Sequence, residues 1–304
     1  MFNNIVGLKA SRGLVSAHGV AAACRTLDCV TVFALTVPEA QAVLHAAVGP
    51  DGAADPWDRP PRALALGPRL PAAGAASFVF GVPAAEYLDF HSFGEAAASR
   101  AGAFSEAWKK SVQALEAVGG KCVQVDYTPF WEMAKLLYGG PWVAERAVAL
   151  REILAATPDA VHDTVRKIVE PADKIGAVAA FEALYKLREL REASEKAMAV
   201  VGAQVVVTPT AGAIYTIKDV LADPIALNTN LGRYTNHMNL LDLCGVAVPT
   251  VLTDAGGLPF GITISAPAGW DAFVCDIAHR LHLATGLPAG ATASPVAAVT
   301  GAFE

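Results

Sequence analysis

The run Val205-Val206-Val207-Thr208-Pro209-Thr210 constrains the fold more than any other stretch of the 304-residue chain. Three consecutive valines and a threonine have no polar face, so they suit a strand covered on both sides, and the proline ends it. Such a strand needs partners and helical layers. Residues 77–82 (SFVFGV) supply an aromatic and β-branched strand bounded by Pro83. A long helical pattern over 93–118 ends at Gly119-Gly120, and residues 121–127 alternate as a second strand stopped by Pro129. Strand, helix and strand in that order predict a β-α-β unit. The predicted class is α/β, a mixed β-sheet covered by helices.

Local signals fill in the remainder. Ile5-Val6-Gly7-Leu8 is short and apolar enough for a buried strand. Thr36-Val37-Pro38-Glu39 fits a capping box, with Pro38 in the first turn of a helix running to about Gly49. Residues 50–71, rich in Pro, Gly, Asp and Arg, predict an irregular surface connection. Helices follow over 130–138, 141–156 and 173–200, separated by Gly139-Gly140, Thr157-Pro158 and Pro171, and the last ends at Gly202. Residues 214–243 are polar and asparagine-rich, with a helix-like stretch at 238–243. Residues 246–249 and 258–264 predict two strands joined by the turn residues 254–257, and a final helix covers 271–285. The expected organisation is one domain over residues 1–290 and a flexible tail over 291–304, with no internal repeat.

Composition narrows the partners. With 54% hydrophobic and 17% charged residues the chain has ample material for a core. A net charge of −6 without a Lys/Arg cluster argues against nucleic acid and acidic membrane surfaces, which both need a concentrated basic patch. No stretch reaches the roughly 18 unbroken apolar residues of a membrane span. The first residues lack the apolar core of a secretory signal, so a cytoplasmic address is expected. Five cysteines at unrelated spacings suggest neither a disulfide framework nor a zinc site. His279 and His282 stand three apart on the last predicted helix, but without a nearby carboxylate or thiol they are weak metal ligands, and no metal is expected. Glycine-rich phosphate loops are absent from the sequence, and no cofactor is expected.

Six motifs carry a resemblance. FNNIVGLK at residues 2–9, SRGLVS at 11–16 and GVAAACRTLD at 19–28 open the chain. LLYGGPWVAER spans 136–146, TNHMNLLDL spans 235–243, and GLPFGITI spans 257–264. In this order they resemble the amidase signature family, and within it most closely the allophanate hydrolase branch, from Phe2 to about Ala291. The resemblance implies the C-terminal portion of an amidase signature fold. It also implies amide hydrolysis, with allophanate cleaved to ammonia and carbon dioxide in urea breakdown.

Pro141 suits a first helical turn and Gly139-Gly140 the break before it, so Tyr138 and Arg146 can face one junction. A guanidinium beside a phenol suits a small carboxylate, because the planar fork donates two parallel hydrogen bonds. The resemblance assigns to Tyr138 and Arg146 the holding of the substrate's carboxylate end. Against it stands an ordinary ion pair of Arg146 with Glu145 or Glu152 on a solvated helix face. Family chemistry also needs a serine nucleophile, a second serine and a lysine, and by the resemblance this chain begins after all three. No catalytic residue is therefore assigned: Ser11, Ser16 and Lys9 match structural positions. Arg25 and Asp28 are given a local pairing or capping role. Ala10 stands where the family has proline, and His18 where it has a basic residue. The expected function is that of an amidohydrolase fragment inactive alone. The alternative is a non-catalytic carboxylate-binding protein or amidase partner. Either reading brings an exposed apolar face or edge, and hence self-association or pairing with the missing N-terminal half.

Overall fold

The structure is a computed structural model that describes residues 1–48, 56–59, 67–70, 78–90 and 95–297. Among these, seven strands form one mixed sheet: β1 (Val6–Lys9), β2 (Thr31–Ala34), β3 (Phe78–Val82), β4 (Gly120–Gln124), β5 (Val205–Pro209), β6 (Leu243–Leu252) and β7 (Pro259–Pro267). They lie in the order β2-β1-β6-β7-β5-β3-β4. β3 runs parallel to β4 and β5, as the β-α-β reading requires, and all other pairs are antiparallel.

β5 is buried on both faces. Val205 and Val207 join a core with α1 (Val37–Ala47), α3 (Ala101–Ala117) and α11 (Asp271–Ala284). Val206 points the other way, into a second core built with α4 (Thr128–Gly139), α5 (Trp142–Ala156) and α7 (Ala177–Val201). The period of two therefore sends alternate valines into two helical layers. The β1-β6-β7 half differs. Val6, Leu8, Val246, Val248, Ile262 and Ile264 face the first core. The residues between them, Gly7, Lys9, Gly245, Ala247 and Thr263, line an open cleft. Register stacks this small-residue row in line, with Gly7 opposite Ala247 and Ala247 opposite Thr263.

Local signals held in most places. Thr36 and Glu39 form the reciprocal capping box of α1. Gly202 ends α7 in the left-handed conformation at φ 66°. Gly256 and Gly257, both at positive φ, turn the chain between β6 and β7. Several boundaries differ. The single helix expected over 93–118 is broken into α2 (Glu95–Ala98) and α3 around Ser99 and Arg100, and residue 93 lies outside the described residues. β2 and the short helix α6 (Asp163–Val169) went unread, β2 being four residues at the sheet edge with no buried face. The polar 214–243 passage holds α8 (Ile217–Ala222), α9 (Pro224–Leu231) and a short α10 (His237–Leu240). Its last residue, expected to be helical, instead starts β6, where pairing of Leu243 with Pro267 overrides helical periodicity.

Most of the predicted 50–71 connection lies outside the described residues, as do Gly49 and Ser77. Residues 291–297, placed in the tail, fold back: Val296 donates to Leu287 O, and Ala289 and Val296 are buried. Asn4, at φ 54°, clasps this turn through Nδ2 bonds to Pro288 O (2.8 Å) and Gly290 O (2.9 Å). Residues 298–304 lie outside the description. No helix among the described residues is long and apolar enough to cross a membrane.

Candidate functional site

The cleft has a volume of about 430 Å³. Its floor is the small-residue row of β1, β6 and β7, and small side chains are what leave it open. Gly245 has no room to be anything else, since a Cβ there would meet Met238 Cε at 2.6 Å and Ile264 O at 2.9 Å. One wall is the turn over residues 23–28. Asp28 ties that turn by accepting from the amides of Ala23 (2.9 Å) and Cys24 (3.0 Å), the local capping role expected of it. Asn236 and Asn239 contribute from the other side.

Arg146 enters the cleft from the second turn of α5. Its position depends on the Gly-Gly-Pro break. α4 closes with the Gly140 amide donating to Leu136 O at 2.8 Å, and Pro141 caps α5 instead of joining its first turn. The Cβ of any other residue at 140 would sit 2.5 Å from that same carbonyl. The tight reversal brings Tyr138 and Arg146 together, with the guanidinium carbon 5.4 Å from the phenol ring centre. Arg146 lines the cleft, while Tyr138 supports the guanidinium through its ring face, a cation–π contact.

The ion pair that would make Arg146 an ordinary surface residue is not formed. Glu145 turns away and accepts from Thr26 N and Thr26 Oγ1, both at 2.7 Å. Arg146 Nε is buried with no hydrogen-bond partner among the described residues. A desolvated guanidinium nitrogen without an acceptor is costly unless a ligand supplies one. Cys24 stands beside it, its thiol 3.4 Å from Trp142 O. Burial pushes that thiol pKa up and the Arg146 charge pulls it back. The Glu145–Thr26 tether and Cys24 were not singled out from sequence. The tether joins residues 119 apart, and no local pattern marks it.

Other polar side chains near the cleft are committed to holding the fold. Ser11 donates from its amide (2.6 Å) and hydroxyl (2.5 Å) to Asp271 at the start of α11, and accepts from Gly269 N. Lys9 Nζ donates to Leu243 O (2.6 Å) and Ala10 O (3.2 Å). His282 is 1% exposed and faces the protein interior. The described residues contain no group of three or more metal-ligating side chains.

An α/β sheet with helices on both faces at one end and a polar cleft over small strand residues at the other defines an amidase-type architecture. A family model described as Amidase matches residues 1–275. The chain belongs to that family, the amidase signature family, and stands near allophanate hydrolase within it. It is 32% identical over 280 residues, 91% of its length, to urea amidolyase of Saccharomyces cerevisiae, of which it covers 14%. It superposes on Kluyveromyces lactis allophanate hydrolase with a TM-score of 0.82 at 30% identity, covering 96% of this chain and 45% of that one. The K. lactis urea amidolyase structure gives a TM-score of 0.83 with 17% of that chain covered. The chain thus spans under half of each of these relatives.

Proposed function

We propose that this chain forms the carboxylate-holding side of an allophanate-hydrolase-type site, with Arg146 as the anion anchor and Tyr138 as its support. The carrying observation is the orphaned, buried Arg146 Nε on the wall of a 430 Å³ cleft. Urea amidolyase and allophanate hydrolase, the named relatives, favour a small ureido carboxylate as the substrate class and amide hydrolysis in urea breakdown as the reaction. Acyl transfer needs an activated nucleophile, and Ser11 and Lys9 are held in structural bonds. The nucleophile in this reading comes from outside the described residues, on a longer polypeptide or a partner chain. The chain alone is inactive, and a cytoplasmic setting fits its five free cysteines.

The test is ammonia release from allophanate by the 304-residue chain and by a version carrying further N-terminal sequence from its gene. Activity only in the longer version supports the reading, and activity in the short chain overturns the inactive-fragment part of it. Calorimetry with malonate tests the anchor separately: Arg146→Gln should weaken binding about tenfold or more, the worth of a charge-assisted pair. Wild-type affinity in that variant would overturn the assignment. A second reading, binding without turnover, is favoured by the same structural commitment of Ser11 and Lys9. Malonate binding with silence in both hydrolysis assays would select it.

A further inference from the structure

Two buried polar side-chain atoms on the lining of the cleft have no hydrogen-bond partner among the described residues, and they are of opposite kind. One is the donor Arg146 Nε; the other is the acceptor Asn239 Oδ1. Neighbouring polar groups are already taken. Thr210 and Thr263 bond each other through their hydroxyls at 3.0 Å, two backbone carbonyls accept from Lys9, and two backbone amides donate to Asp28. Asn236 folds its amide back over Gly232, where an added Cβ would collide with it.

Asn239 is also fixed in place. It is the third residue of α10, and the residues on either side of it, Met238 and Leu240, are buried. His237 packs edge-on against Tyr127 and Phe130, and Met238 lies so close over β6 that a Cβ at Gly245 would meet its Cε at 2.6 Å. The Asn239 carbonyl accepts from Asp242 N at 3.2 Å, which closes the turn into β6. The side chain therefore meets a ligand as a pre-positioned acceptor, with little ordering left to be done on binding. A buried amide oxygen without a donor is costly, as is a buried guanidinium nitrogen without an acceptor. One small molecule satisfies both when it carries a carboxylate at one end and an N–H at the other. We propose that Asn239 is a specificity-determining residue of the cleft, accepting an amide N–H of the ligand while Arg146 holds its carboxylate. The role rests on the Arg146 reading and adds to it the recognition of the ligand's nitrogen end. A pocket built to accept an N–H rejects the isostere that lacks one, because its own oxygen is then left unpaired.

The experiment is calorimetric titration of the 304-residue chain with malonamate and, separately, with acetoacetate, two acids of one shape that differ in an amino group against a methyl. The wild-type chain should bind malonamate about tenfold more tightly. Asn239→Ala should remove that preference by weakening malonamate alone, so that acetoacetate reports the integrity of the cleft in the same variant. Arg146→Gln should weaken both acids. Equal affinities in the wild type, a preference that survives Asn239→Ala, or loss of both acids in that variant would each overturn the role of Asn239 and leave the anchor standing. Failure of malonate, malonamate and acetoacetate alike to bind the wild type would overturn the Arg146 anchor, and the role of Asn239 with it.

Discussion

Glu145 and Arg146 are neighbours on one helix and serve separate purposes. Glu145 holds the turn that walls the cleft, through two bonds to Thr26, and this leaves Arg146 Nε buried without a hydrogen-bond partner among the described residues. Glu145→Ala should remove both bonds and strand the Thr26 amide, at a cost of about 1–3 kcal/mol. The expected result is a melting temperature lower by a few degrees, with malonate affinity reduced because the 24–28 wall loosens; an unchanged melt would show that the tether carries no stability. The juxtaposition of Arg146 and Tyr138 was legible in the sequence because the Gly-Gly-Pro break fixes their relation within nine residues, whereas the role given to them came from the family resemblance. Glu145 was legible only as a possible partner for Arg146, and the structure gives its carboxylate to a distant residue. Charge pairing along a helix surface is a weak force that a backbone amide in need of an acceptor readily outcompetes.

At the scale of elements, the signals that survived are those with a local steric or hydrogen-bonding cause. The capping box of α1, the left-handed end of α7 and the glycine turn between β6 and β7 are each fixed within a few residues. Two of the features that escaped, β2 and the true start of β6, are fixed by neighbours far along the chain: Phe33 pairs with Gly7 and Leu243 with Pro267, whereas α8 and α9 went unread although Thr216, Asp219 and Asp223 cap them locally. The alternation that separates core from cleft was also present in VGLK, CGVAV and GITIS, although which face would open could not be read without the register. The α4–α5 joint gives a direct check. Gly140→Ala places a methyl against Leu136 O and should cost roughly 1–3 kcal/mol in denaturant unfolding, with an accompanying loss of malonate binding as Arg146 shifts. Gly139→Ala, with open space around it, should cost far less.

For the molecule as a whole, two buried histidines set its response to acid. His237 is packed edge-on against Tyr127 and Phe130, and burial lowers its pKa to about 3. Burial, with help from His279, lowers that of His282 to about 4. Both stay neutral in the folded chain while the unfolded chain protonates near 6.5. The unfolded state therefore binds more protons below pH 6.5, and stability falls as pH drops from there toward the folded values. By pH 5 the loss should be about 2 kcal/mol from each histidine. Urea unfolding between pH 7.5 and 5 measures it, and His282→Leu should flatten the slope by about half; a stability indifferent to pH would contradict the burial of both rings.

The pairing of β1 with β6 and the Asn4 clasp on Pro288 and Gly290 have a consequence in time. Gly7 finds its neighbour at Ala247, and Asn4 finds its carbonyl partner 286 residues away. β1 stands inside the sheet, between β2 and β6. The strands that flank the cleft therefore cannot assemble during synthesis until most of the chain has emerged, and the loop they close is long. The β3-β4-β5 half has only nearer partners and is free to form first. β1 is thus among the last of these strands to find its place, although it precedes its partners in the chain. Through that interval an unpaired VGLK strand and its apolar neighbours depend on folding helpers or dilution to stay out of aggregates.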